Sequence, residues 1–247
     1  MAGHSKWKNI RIRKGKQDAI KGKQFTKLSR EIIVAARAGG GDAGMNPRLR
    51  VAVEKARAVS MPVDNIKRAI QRGTGEIEGA DYEELTYEGR GPGGAAIIME
   101  CYSENRNRTV ADIRHAFSKN GGSLGENGSV SWQFKRVGEI EVANTGQSED
   151  DLTMAALEAG ADDVIADDDV FRIHTAVDAL HAVNDGLTKS GIKTGEVGLT
   201  YVATNKTEPS GEDIPRLLKL LDVLEELDDV QETYVNVDIT EDMLQEA

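Results

Sequence analysis

The chain has 247 residues, 39% of them hydrophobic and only 4% aromatic, and carries a net charge of −11. That length fits one large domain or two or three small ones, and the composition excludes a disordered or low-complexity chain. A lone cysteine, Cys101 in the apolar run AAIIMEC, excludes an internal disulfide and a thiolate zinc cluster and reads as a buried strand residue in a reducing compartment.

No stretch approaches the roughly 18 apolar residues of a membrane span. The start of the chain lacks the apolar core of a secretory signal, so the cytoplasm is the expected location. The charge is segregated along the chain. Residues 1–76 hold 18 Lys+Arg against 6 Asp+Glu, a net of +12, which leaves −23 for residues 77–247. Segregation on this scale points to a partner rather than to a fold.

The chain opens on an extended arm, MAGHSKWKN, and between Lys6 and Lys16 there are six positive charges and no negative one. Trp7, between Lys6 and Lys8, reads equally as a ring that stacks on a base and as an anchor for the arm. In QFTKLSREIIVAARAGG, helical spacing gathers Phe25, Leu28, Ile32, Ala35 and Ala36 on one stripe. It sets Lys23, Lys27, Arg30 and Arg37 almost opposite, facing solvent. Gly39-Gly40-Gly41 ends this helix, and Asn46-Pro47 starts the next with an N-cap and a first-turn proline. Leu49, Ala52, Val53 and Ala56 give that second helix its apolar side. Pro62 opens a third, with Val63, Ile66 and Ile70 inward and Lys67, Arg68 and Arg72 outward.

The Gly-rich TGEIEGAD, 74–81, marks a linker. DYEELTYEG and AAIIMECYS are predicted strands joined by GRGPGG. A helix follows from Asn107 to Phe117, with Arg106 and Arg108 at its start, where free amides favour anions. A second phosphate contact and salt bridges within the domain are both open there. SVSWQF alternates, which predicts a strand with Val130, Trp132 and Phe134 on one face. Residues 137–205 then read strand, helix, strand, strand, helix, strand, the ferredoxin-like order. Ser148-x-x-Asp151 caps the first of these helices, and the second spans about 177–190. Finally, Ser210-x-x-Asp213 caps a helix bearing Ile214, Leu217, Leu218, Leu221 and Leu224. The strand VQETYVNVDI follows, with Val235, Val237 and Ile239 on one face. Neither of these last two elements buries its apolar face alone, so both are expected to complete the sheet begun near residue 82.

The expected architecture is therefore a multidomain α+β, α/β protein. It has a basic helical domain with its arm (1–76), a discontinuous α/β domain (80–136 plus 206–247) and an inserted ferredoxin-like domain (137–205).

Candidate chemistry is sparse. Gly89-Arg-Gly91-Pro-Gly93-Gly94 matches GxGxxG, but strands lie on both sides and Pro92 removes an amide, so it reads as a turn rather than a dinucleotide site. His4, His115, His174 and His181 lie far apart without metal-ligand spacing. Asp167-Asp168-Asp169 falls where the ferredoxin-like unit needs a hairpin. No GxSxG elbow and no phosphate loop is present. No catalytic residue, metal or cofactor is expected, and neither is a membrane or small-molecule partner.

Several blocks together carry a resemblance: MAGHSKWKNIR, QFTKLSREI, GGGD followed by NPRLR, MPVDNIKRAI, YEGRGPGG and NRNRTVADIRHAFSKNGG. The chain resembles the YebC/PmpR family over nearly its whole length. The resemblance implies a three-domain α/β protein with an N-terminal helical domain and no catalytic site. It implies nucleic-acid contacts at Lys6, Trp7, Lys8, Arg11, Arg13, Lys14, Lys16, Lys21, Lys23, Lys27 and Arg30. The family is labelled as DNA-binding transcriptional regulators. Its mitochondrial relative, the translational activator of cytochrome c oxidase, points instead to the ribosome, and bacterial members to the relief of stalled translation. The expected function is thus a non-enzymatic regulator of gene expression binding promoter DNA. The alternative is a ribosome-associated translation factor binding ribosomal RNA.

Overall fold

The computed structural model describes residues 17–167, 169–240 and 243, with side chains from residue 22 onward. The chain divides into two compact units: Phe134–Val202, and the residues up to Gln133 together with those from Ala203. Among the described residues, no helix is long and apolar enough to cross a membrane.

Among the described residues the larger unit opens on three helices, α1 (Gln17–Gly39), α2 (Pro47–Ala58) and α3 (Val63–Gly73). Their core is built from small and branched residues: Ile32, Ala35, Ala36, Leu49, Ala52, Val53, Ala56, Ile66 and Ala69. Asn46 fixes the first corner. Its Oδ1 accepts from Leu49 N at 3.0 Å, capping α2, while its Nδ2 donates to Ala35 O and Gly40 O at the end of α1. A Cβ at Gly73 would lie 2.5 Å from the Ile33 carbonyl oxygen, so glycine lets α3 approach α1 closely. Val63, predicted inward, is 61% exposed. It stands on the first residue of α3, and burial begins one turn later at Ile66.

After the linker, β1 (Glu83–Arg90) and β2 (Ala96–Ser103) form an antiparallel hairpin. The glycine-rich segment between them is a tight turn over Pro92–Gly94, with Gly93 and Gly94 at φ of 67° and 75°, where a side chain is strained. Helix α4 (Arg106–Lys119) and the short β3 (Ser123–Leu124) follow. After the second unit the chain returns as α7 (Ile214–Glu226) and β8 (Val230–Val235). The sheet order is β3-β1-β2-β8, so the returning strand pairs with β2, as predicted. Ile97, Met99 and Cys101 on β2 pack with Ile113 and Phe117 of α4 and with Leu217, Leu220 and Leu224 of α7. Helix α7 starts after Asp213, so the Ser210 side chain caps no helical amide and instead hydrogen-bonds the Asp213 carboxylate at 2.8 Å, while the Ser210 carbonyl accepts from Ile214 N at 3.2 Å.

Two predicted strands are altered, each by one buried polar side chain. SVSWQF forms a single 3-10 turn at Ser131–Gln133. Glu88, 6% exposed, accepts from the backbone N–H groups of Gly128, Val130 and Ser131 at 2.7, 2.7 and 2.8 Å. The segment curls around that carboxylate, Val130 and Phe134 turn inward, and Trp132 is left 64% exposed. Likewise β8 ends at Val235 because the fully buried Asn236 takes over. Its Oδ1 accepts from Ala96 N at 2.7 Å, and its Nδ2 donates to Gln133, Asn205 and Thr207. Val237 and Ile239 remain buried beyond the strand.

The second unit contains β4 (Phe134–Ala143), α5 (Glu149–Glu158), β5 (Asp163–Ala166), β6 (Val170–Thr175), α6 (Leu180–Lys189) and β7 (Val197–Ala203), the last residue falling just past the boundary. The order β5-β6-β4-β7 is the ferredoxin-like arrangement. Ile140, Val142, Phe171 and Ile173 face Leu152, Ala156, Val183 and Leu187 in one core. Ser148 Oγ caps α5 through Asp151 N at 3.3 Å. Arg172, 2% exposed, is satisfied by Glu139, Glu141 and Asp167 at 3.4, 2.5 and 3.1 Å. Residues 167 and 169 lie in the hairpin between β5 and β6, and Asp168 lies outside the described residues.

Candidate nucleic-acid interface

Lys23, Lys27 and Arg30 follow one another at helical spacing along α1, and the fold brings all three to a single place. Lys23 Nζ donates to Glu226 O at 3.4 Å and Lys27 Nζ to Glu225 O at 3.0 Å. Arg30 Nη1 donates to Asp228 O and pairs with Asp229 Oδ1 at 3.1 Å. The last carbonyls of a helix lack intrahelical partners and carry the negative end of its dipole, so these cations cap α7 from outside. Asp229, 6% exposed, also receives Arg108 Nη2 at 3.1 Å and Thr109 Oγ1 at 2.6 Å. The Arg30 guanidinium lies 5.3 Å from the centre of the Tyr82 ring.

This corrects the solvent-facing reading of that stripe. Arg30 is 9% exposed and Lys27 half-buried, while Lys23 stays exposed but touches α7. Five consecutive residues, Ile32 to Ala36, are buried, so α1 is covered on more than one side. Periodicity identifies an apolar face; it does not establish that the opposite face is free. Of the remaining residues implied by the resemblance, Lys6, Trp7, Lys8, Arg11, Arg13, Lys14 and Lys16 lie outside the described residues. Lys21 lies on α1, and its side chain is not described.

The two arginines at the start of α4 differ in their surroundings. Arg108 pairs with Asp229 and, at 3.4 Å, with Glu104. The hydrogen bond and charge of Asp229 hold its guanidinium above the ordinary arginine range. Arg106 is exposed on the first turn. Beside Arg108 lies a cleft of about 680 Å³ whose wall sets Lys23, Arg30 and Arg108 against Glu104, Asp112, Glu226, Asp228 and Asp229. Three cations there face five carboxylates, so their charge is matched within the protein.

The free cations lie elsewhere. Arg50 and Arg57 are exposed on α2, and Lys67, Arg68 and Arg72 on α3; among the described residues none of the five forms a salt bridge. Sequence periodicity placed the α3 residues outward without assigning them to the site. For Arg50 and Arg57, the i, i+7 spacing on the flank of the stripe of Leu49, Val53 and Ala56 was the available signal. Other cations of the head are engaged: Arg37 with Asp81, Arg48 with Glu84 at 2.7 Å and Tyr102 Oη at 3.0 Å, and Lys55 with Glu31 at 3.6 Å. Cys101, 1% exposed, has its thiol pushed far above the ordinary range by burial and, secondarily, by Asp229, which makes it a poor nucleophile.

These features define a mixed α+β protein with two antiparallel sheets and a helical head whose exposed cations sit on α2 and α3. A family model described as the TACO1/YebC protein N-terminal domain matches residues 5–76, and one described as the TACO1/YebC second and third domain matches residues 82–237. The chain belongs to the TACO1/YebC family. It is 52% identical over 247 residues to a probable transcriptional regulatory protein of Sulfurihydrogenibium sp., covering 99% of this chain and 98% of that one. It is 56% identical over 237 residues to another of that name from Aromatoleum aromaticum, covering 96% and 98%. The crystal structure of a conserved hypothetical protein, Aq1575, from Aquifex aeolicus is similar at a TM-score of 0.85 and 44% identity, covering 94% of this chain and 96% of that one.

Proposed function

We propose that this chain is a non-catalytic, cytoplasmic regulator of gene expression that binds nucleic acid through its basic head. One observation carries the reading: a head of net +12 joined to a remainder of −23, with Arg50, Arg57, Lys67, Arg68 and Arg72 exposed and unpaired among the described residues. Solvated cations that no internal carboxylate neutralises are what a polyphosphate displaces counterions to reach. The arm cations Lys6, Lys8, Arg11, Arg13, Lys14 and Lys16 add to the same field. The names of the relatives support the regulator label.

The second reading is a translation factor bound to ribosomal RNA. The −23 remainder favours it, because that charge is repelled along a long duplex, whereas a small basic head fits a cleft in structured RNA. Crosslinking in cells, followed by sequencing of the attached nucleic acid, separates the two. Promoter fragments establish the first, ribosomal RNA fragments the second, and recovery of neither contradicts nucleic-acid binding altogether.

A further inference from the structure

The loop that departs from its predicted strand holds an aromatic ring in solvent by construction. Trp132 is 64% exposed, yet its indole Nε1 donates to Ser129 O at 3.3 Å. Arg90 Nη2, from the end of β1, donates to the same oxygen at 3.2 Å. One carbonyl therefore sets a guanidinium and an indole side by side. The support beneath them is rigid. Glu88 gathers three loop amides, those of Gly128, Val130 and Ser131, its own carbonyl accepts from Gly125 N at 2.8 Å, and Val130 is fully buried.

The ring's polar atom is thus already satisfied within the protein. What it offers a partner is a π face, with the remaining Arg90 donors beside it. The loop before it reads Gly125, Glu126, Asn127, Gly128 and Ser129, and a Cβ built on Gly128 would meet nothing within 4 Å. A single ring among glycines and polar residues is not the contiguous apolar patch that a protein partner uses. It is the arrangement that receives a flat base next to a phosphate. Resting on the nucleic-acid reading above, we propose that Trp132 and Arg90 form a stacking platform for an unpaired base of single-stranded nucleic acid, separate from the cations of α2 and α3. Glu126, exposed in the same loop, works against phosphate, so stacking rather than charge carries this contact. A duplex, whose bases are already stacked, does not engage it.

The test uses the full chain carrying Trp7→Phe, so that Trp132 is its one remaining tryptophan. An oligouridine of about 20 nucleotides and an RNA duplex of the same length are titrated while Trp132 emission and affinity are followed. Emission is expected to be quenched by the single strand and not by the duplex. Trp132→Ala in the same background should weaken single-strand binding by about 5- to 150-fold, leaving the salt slope and duplex binding unchanged. Trp132→Phe should restore most of the loss. Glu88→Gln gives an independent reading. It removes a negative charge, which by itself favours RNA, but it sets an amide N–H against backbone donors and loosens the loop, so single-strand affinity should fall. If the parent binds RNA and Trp132→Ala binds the single strand equally well, the platform is overturned and the nucleic-acid reading stands. If the chain with both tryptophans intact binds neither RNA nor duplex DNA, that reading falls and the platform with it; if it binds duplex DNA alone, only the platform is overturned. A ring that responds to a proline-rich peptide and not to the oligonucleotide belongs to a protein contact, and also overturns the proposal.

Discussion

Helix α1 and the pair α2–α3 all carry cations outside their apolar stripes, and the fold treats them differently. Lys23, Lys27 and Arg30 are drawn onto the last carbonyls of α7 and the Asp229 carboxylate, while Arg50, Arg57, Lys67 and Arg68 remain in solvent without a salt bridge among the described residues. A cation stripe therefore has two physical fates. It caps another element inside the molecule, or it waits for a charge from outside. Only the second can bind a phosphate without first breaking an internal contact.

The largest effect should come from removing the acceptor. Asp229→Ala leaves Arg30 buried without its carboxylate and strips Arg108 and Thr109 of a partner, so stability should fall by about 3–5 kcal/mol in urea denaturation. A loss under 1 kcal/mol would mean that α1 is not held there. Replacing Lys23 and Lys27 together by Ala should cost about 1 kcal/mol, the scale of cations at a helix C-terminus, while changing nucleic-acid affinity less than about threefold. Arg57→Ala and Lys67→Ala should reverse that pattern, with stability within about 0.5 kcal/mol of the parent and affinity reduced.

The smallest effect concerns acid. Burial alone would raise the Glu88 carboxyl, but the N–H groups of Gly128, Val130 and Ser131 offset it and hold the group below its ordinary value of 4.5. A carboxyl depressed in the folded state stabilises above its unfolded value and loses that contribution as pH falls through the folded one. The amide proton shifts of Gly128, Val130 and Ser131 should therefore titrate together below pH 4.5 and stay flat between pH 5 and 8. A common midpoint above 4.5 would contradict the assignment.

Where the decisive interactions are local, the fold was legible in the sequence. Asn46 before Pro47 announced the α2 cap, Ser148 that of α5, and the order of elements in the second unit gave its ferredoxin-like sheet. Where a distant residue decides, it was not. Nothing in SVSWQF shows that Glu88, forty-two residues before Val130, takes its amides. Nor does VQETYVNVDI show that the Asn236 side chain holds Gln133 and the Ala96 amide. The internal contacts of the α1 cations were hidden for the same reason. The stripe on α1 was read correctly as a stripe, but its partner, the turn after α7, lies about 200 positions along the chain. The cations of α2 and α3 needed no distant partner, and their outward direction could be read from spacing alone.

The central claim is that the exposed cations of the helical head hold nucleic acid. It is tested most directly by the salt dependence of binding for the parent and for a variant carrying Arg50→Glu, Arg57→Glu, Lys67→Glu and Arg68→Glu. The parent should show a log–log slope of about −5 to −7 on duplex DNA; the variant, folded and equally stable, should bind far more weakly with a slope shallower by about 2 to 4. Equal affinity and an equal slope in the two proteins would contradict the account.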